Sequence, residues 1–61
     1  MTQDYDLLVG KWLLVKKKGS NVIEEVLVLE TSPSKKYLKI FEGVTVKWIA
    51  INDYDILEVL Y

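Results

Sequence analysis

Four turn-like breaks divide this chain, at Gly19-Ser20-Asn21, Ser32-Pro33-Ser34, Glu42-Gly43 and Asn52-Asp53. The runs between them are too short for ordinary helices and alternate apolar with polar residues. They are rich in β-branched and aromatic side chains, which suit a pleated surface, and their helical periodicity is poor. The pattern therefore predicts an all-β domain of about five short strands.

The segment 1–10 reads as a leader. Asp4 and Asp6 are good caps, so a single helical turn over Tyr5 to Val9 is expected, ended by Gly10. Lys11 to Lys17 is a first strand, with Trp12 and Leu14 on one face and Leu13 and Val15 on the other. Val22 to Thr31 is the longest strand, and the adjacent Glu24 and Glu25 inside it predict a bulge or an overhang at the sheet edge. Pro33 ends it, because proline fixes φ and lacks an N–H. Lys36 to Phe41 alternates cleanly, with Leu38 and Ile40 opposite Tyr37, Lys39 and Phe41. Gly43 then allows a tight hairpin of the bulged type I kind. Val44 to Ile51 returns, with Val44, Val46 and Trp48 opposite Thr45, Lys47 and Ile49. Asn52-Asp53 predicts a 3₁₀ turn, and Ile56 to Leu60 a last strand.

At 61 residues the chain makes one domain, taken as 1–61, and one of this size is only marginally stable alone. Its Met start and length are those expected of a complete small gene product. Neither Cys nor His occurs, which removes disulfides and the usual metal ligands as staples. Closure into a small barrel is the usual way for so short a β domain to hide its edges. The rhythm over 11–60 resembles an SH3-like barrel. The carriers are a long second strand, a tight hairpin, and the tail from Trp48 to Leu57 with its 3₁₀ turn before a short final strand. The resemblance implies a small five-stranded antiparallel barrel. Peptide-binding SH3 domains have a long, acid- and aromatic-bearing loop between their first two strands. Here only Lys17 to Asn21 stands there, so recognition of proline-rich peptides does not carry over.

Asp4-Tyr5-Asp6-Leu7-Leu8 and Asp53-Tyr54-Asp55-Ile56-Leu57 echo one another. The echo is short enough to come from two capped turns using the same local chemistry.

The catalytic inventory is thin. Any Ser, Thr or Lys nucleophile lacks a histidine to activate it. Glu24 and Glu25 point to opposite faces of a strand and do not converge as an acid–base pair. Asp53 with Asp55, and Asp4 with Asp6, read as caps, and no calcium-loop spacing occurs. The expectation is a non-enzymatic protein without metal or cofactor. The apolar runs are far shorter than the ~20 residues of a spanning helix. Asp4 and Asp6 occupy the place of a secretory signal's basic region. A cytoplasmic, membrane-free protein is expected.

Net charge is −1, and all eight basic residues are lysine. The absence of Arg removes the forked donor that reads guanine edges, so sequence-specific DNA recognition is not expected. Two interaction readings remain. Several runs are apolar on both faces, including Trp12 to Val15, Val26 to Leu29 and Trp48 to Ile51. A barrel hides one face and leaves the other wet, so a homo-oligomer or a protein partner is expected. Its contact residues come from Trp12, Leu13, Val15, Leu27, Leu29 and Trp48, unless Leu7 and Leu8 fold over the second face. The alternative is single-stranded nucleic acid, bound by Lys16, Lys18, Tyr37, Lys39 and Trp48 through stacking and backbone attraction. Buried Trp side chains favour the first reading. Exposed ones beside Lys favour the second.

Overall fold

A computed structural model describes residues 4–61. Five strands form one antiparallel sheet: β1 (Trp12–Lys17), β2 (Ile23–Thr31), β3 (Tyr37–Glu42), β4 (Thr45–Ala50) and β5 (Tyr54–Val59). Their order is β4-β3-β2-β1-β5, so the chain meanders through four neighbours and then returns to place its last strand beside its first. The ladder does not close into the expected barrel, because β4 and β5 remain at opposite edges. The sheet is nonetheless strongly curled. Its shortest extent is 20 Å, far thicker than a flat layer of backbone.

Curling gives the sheet an inner and an outer face. Leu13 and Val15 of β1, Val26 and Val28 of β2, Leu38 and Ile40 of β3 and Ile49 of β4 line the inner face and are buried there. Tyr54 and Ile56 of β5 pack against the same cluster. The leader supplies Leu8. A 3₁₀ turn over Tyr5–Leu8 starts where the Asp4 side chain accepts the Asp6 N–H at 3.0 Å, and Leu8 enters the core while Leu7 stays in solvent. Within the described part of the leader, Leu8 completes the inner face and Leu7 does not cover the outer one; the leader's residues 1–3 lie outside the described residues. The Gly10 N–H donates to Val28 at 2.8 Å, which ties this segment to β2.

The connections follow local chemistry. Between β1 and β2, the Ser20 N–H bonds back to Lys17 at 2.9 Å, with Gly19 at φ 84°. A glycine with positive φ at the third position is what a type II turn requires. Between β2 and β3, the Lys35 N–H bonds to Ser32 at 2.9 Å, with Pro33 pre-set at the second position. Ser32 is buried, and its Oγ accepts N–H bonds from Lys36 at 3.2 Å and Tyr37 at 3.1 Å. The β3–β4 hairpin differs from expectation. Glu42 pairs with Thr45, leaving the two-residue loop Gly43-Val44 with positive φ at Gly43 only. That is the pattern of a type II′ turn, whose twist matches the strands.

The bulge in β2 also falls elsewhere than expected. The register with β3 slips between Val28 and Glu30, at Leu29. Glu24 and Glu25 stay in regular pairing, opposite Val15 and Leu14. Alternation lets both acids stay in the ladder, Glu24 on the inner face where the core ends and Glu25 outside. A second 3₁₀ turn, Ile51–Asp53, precedes β5. Among the described residues no helix is long and apolar enough to cross a membrane.

Candidate interaction face and edge

Cross-strand register defines the outer face, because directly paired residues share a side of the sheet. Trp12 pairs with Leu27, Leu27 with Phe41, and Phe41 with Val46. These side chains form one apolar row across four strands, roughly 14 Å at ~4.8 Å per strand step. Trp12, Leu27 and Phe41 are half-buried by their neighbours, and Val46 is 50% exposed.

Charged rows flank the apolar one. On one side Glu30, Lys39 and Trp48 lie in register. Lys39 Nζ stands 3.4 Å from Glu30 Oε2, and Trp48 is 50% exposed. On the other side Leu14 lies between Glu25 and Glu58. Beyond them Lys16 sits opposite Asp55, with Nζ 4.0 Å from Oδ2.

The structure sorts the residues expected at a contact. Leu13 and Val15 are enclosed in the core and are unavailable, since their alternation faces the inner side. Trp12 and Leu27 stand in the outer apolar row. Leu29 sits half-buried at the bulge, outside the regular rows. Trp48 is on the outer face of edge strand β4. Leu14, Phe41 and Val46 join this face. Their positions followed from the alternation, but which face would be outward did not.

The set expected for nucleic acid is divided. Tyr37, Lys39 and Trp48 share one region of the outer face, and Tyr37 is 48% exposed. Lys16 pairs with Ile23, seven positions along β2 from Glu30, which pairs with Lys39. That separation is about 20 Å at ~3.3 Å per residue. Lys18 lies in the β1–β2 turn, where its backbone N–H donates to Asp53 C=O at 2.8 Å. The two Trp residues thus split the sequence criterion. Trp12 is half-buried in the apolar row, and Trp48 is exposed beside a lysine already held by Glu30.

A polar cluster closes one end of the inner face. Lys47 of β4 places Nζ 3.2 Å from Glu42 Oε1. A hydrogen bond with Glu24, assisted by Lys47, holds the Glu42 carboxyl below the usual range. The same contact with Glu42, then partial burial, pushes Glu24 up. Glu42 in turn holds the Lys47 ammonium above its ordinary value. On the leader, Lys35 pairs with Asp6 and lowers the Asp6 carboxyl. No group of three or more acids among the described residues converges as metal ligands would.

Comparison with protein-family models, with curated proteins and with solved structures found no match.

Proposed function

We propose that this protein is a non-enzymatic interaction module that associates with copies of itself through its outer apolar surface. One observation carries the reading: the continuous row Trp12, Leu27, Phe41 and Val46 on the face that the sheet does not cover. Contiguous apolar surface of this kind marks an interface on a soluble domain. The strand order, with β5 returning to β1 after a 3₁₀ turn, supports reading the fold as an open relative of the SH3-like barrels. Such a scaffold carries no function of its own.

The test is sedimentation equilibrium from micromolar to near-millimolar concentration at low and high salt. A discrete oligomer that survives high salt is expected. A monomer of 7.1 kDa throughout overturns the proposal.

Trp48 and Tyr37 exposed beside Lys39 favour a second reading, a single-strand nucleic-acid platform. Its electrostatics are poor. Lys16 and Lys39 on the outer face are each paired with an acid, while Glu25 and Glu58 have no ion-pair partner among the described residues. A phosphate backbone needs the opposite balance. Titration with labelled oligonucleotides at low salt decides it, and affinity no better than millimolar removes this reading.

A further inference from the structure

We infer that two copies join edge to edge through β4, in an antiparallel pairing whose twofold axis lies between the two copies of Trp48. The inference rests on the proposed self-association and adds an edge contact to it: the join lengthens the outer apolar row into the second copy without covering it.

The phase of the β3–β4 ladder shows what β4 offers. The Ile51 N–H donates to Lys36 C=O at 2.9 Å. Bonded pairs alternate along an antiparallel ladder, so Leu38/Ile49, Ile40/Lys47 and Glu42/Thr45 exchange bonds with each other. Val46, Trp48 and Ala50 therefore direct their N–H and C=O groups to the open edge. No turn or loop backbone bond among the described residues meets them. This edge has no bulge, no proline and no acid over six residues. The other edge, β5, is bulged at Leu57 and carries Asp55 and Glu58, so two copies of it repel. Lys47 is the one charge on β4, and it lies back against Glu42 on the inner face.

Parity limits the register. Facing residues of a continuous sheet must share a side, so one residue must face its own copy across the axis. Centring on Lys47 sets two ammoniums face to face. Centring on Val46 runs Ile49 and Ala50 past the partner's hairpin loop. Centring on Trp48 pairs 46–50 with 50–46 entirely within strand, with edge donors and acceptors matched at Val46/Ala50 and Trp48/Trp48. Outer rows then continue across the join. One runs Trp12, Leu27, Phe41, Val46, then Ala50 and Tyr37 of the second copy. The other brings the two Trp48 rings together with a Lys39 on each side, an aromatic pair flanked by cations.

The test compares the wild-type chain with Val46→Pro by sedimentation equilibrium, with circular dichroism to verify folding. Proline there removes an edge N–H and leaves the bonds to β3 intact. The expected result is a folded variant whose Kd for dimerisation rises about tenfold or more as edge hydrogen bonds are lost. A folded variant that dimerises like wild type overturns the edge pairing while leaving self-association standing. A wild-type monomer overturns both. If Val46→Pro does not fold, crosslinking decides. The chain has no cysteine, and bonded partners lie at Cα separations of about 5.5 Å, within reach of a disulfide. Trp48→Cys is expected to form a covalent dimer under mild oxidation far faster than Lys11→Cys. Equal rates overturn the register.

Discussion

Leu13 and Leu14 are identical neighbours on β1 that face opposite sides of the sheet. Leu13 is fully enclosed among the inner-face residues, whereas Leu14 stands outside between Glu25 and Glu58. The same truncation should therefore give two different results. Leu13→Ala leaves a cavity in a packed core, at a cost of about 2–5 kcal/mol. For a domain whose whole stability is of order 3–9 kcal/mol, that removes a large share of the total. Leu14→Ala loses only partial burial, about 1 kcal/mol. Urea unfolding of both variants checks the assignment. A larger cost for Leu14→Ala would mean that the inner and outer faces are reversed.

The backbone at Gly43 is a second check on local geometry. Its φ is 59°, and a Cβ built there meets nothing within 4 Å. The cost of Gly43→Ala is thus conformational and not steric contact with neighbours. About 1–2 kcal/mol is expected, or a fall in Tm of roughly 8–16 °C for a domain this small. Gly43→Asn should cost a similar amount, since Asn is tolerated in the left-handed helical region and not at the first central position of a type II′ turn. Thermal scans of the two variants check this, and variants as stable as wild type would argue against the turn.

Much of this architecture was legible in the chain. Alternation placed every strand to within a residue or two, and the breaks at Ser32-Pro33-Ser34, Glu42-Gly43 and Asn52-Asp53 fell at real turns. Three features were not legible, each for a physical reason. Alternation shows that Leu13 and Leu14 differ in face, but on a strand apolar on both sides it cannot say which face is inside. That depends on how the sheet curls. Whether β4 and β5 pair is a matter of long-range register, which no local signal reports. The bulge at Leu29 falls among apolar residues where nothing in composition marks it, while the conspicuous Glu24-Glu25 pair is accommodated by regular alternation. The candidate face was half visible for the same reason: Trp12, Leu27 and Trp48 were named, and Leu13 and Val15 belonged to the core.

Ser32 looked like an ordinary loop residue, yet it is buried and its Oγ accepts two backbone N–H groups at 3.2 and 3.1 Å. Ser32→Ala leaves those donors without this acceptor in a partly buried turn, at a cost of about 1–3 kcal/mol. Ser32→Thr keeps the oxygen and should retain more stability. Amide hydrogen exchange at Tyr37 gives a local readout, and unchanged protection in Ser32→Ala would show that the hydroxyl does not anchor the turn.

The cluster of Glu24, Glu42 and Lys47 makes stability depend on pH with a definite sign. Glu24 has its folded pKa raised above the ordinary value, chiefly by its hydrogen bond to Glu42. A raised folded pKa contributes stability that is fully present below the unfolded pKa and is lost as pH rises through the folded one. Wild type therefore loses this contribution just above the usual glutamate range, where both carboxyls become ionised side by side. Glu42 acts in the other direction: its lowered pKa contributes stability above the ordinary range that is lost on acidification. Glu24→Gln separates the two, because an amide still donates to Glu42 but never ionises. The variant should be more stable than wild type at neutral pH, and the difference should vanish as pH falls below the usual glutamate range and wild-type Glu24 protonates. Urea midpoints measured from acid to neutral pH test this. A difference between the two proteins that does not change with pH would show that Glu24 and Glu42 do not share a proton across the mouth of the sheet.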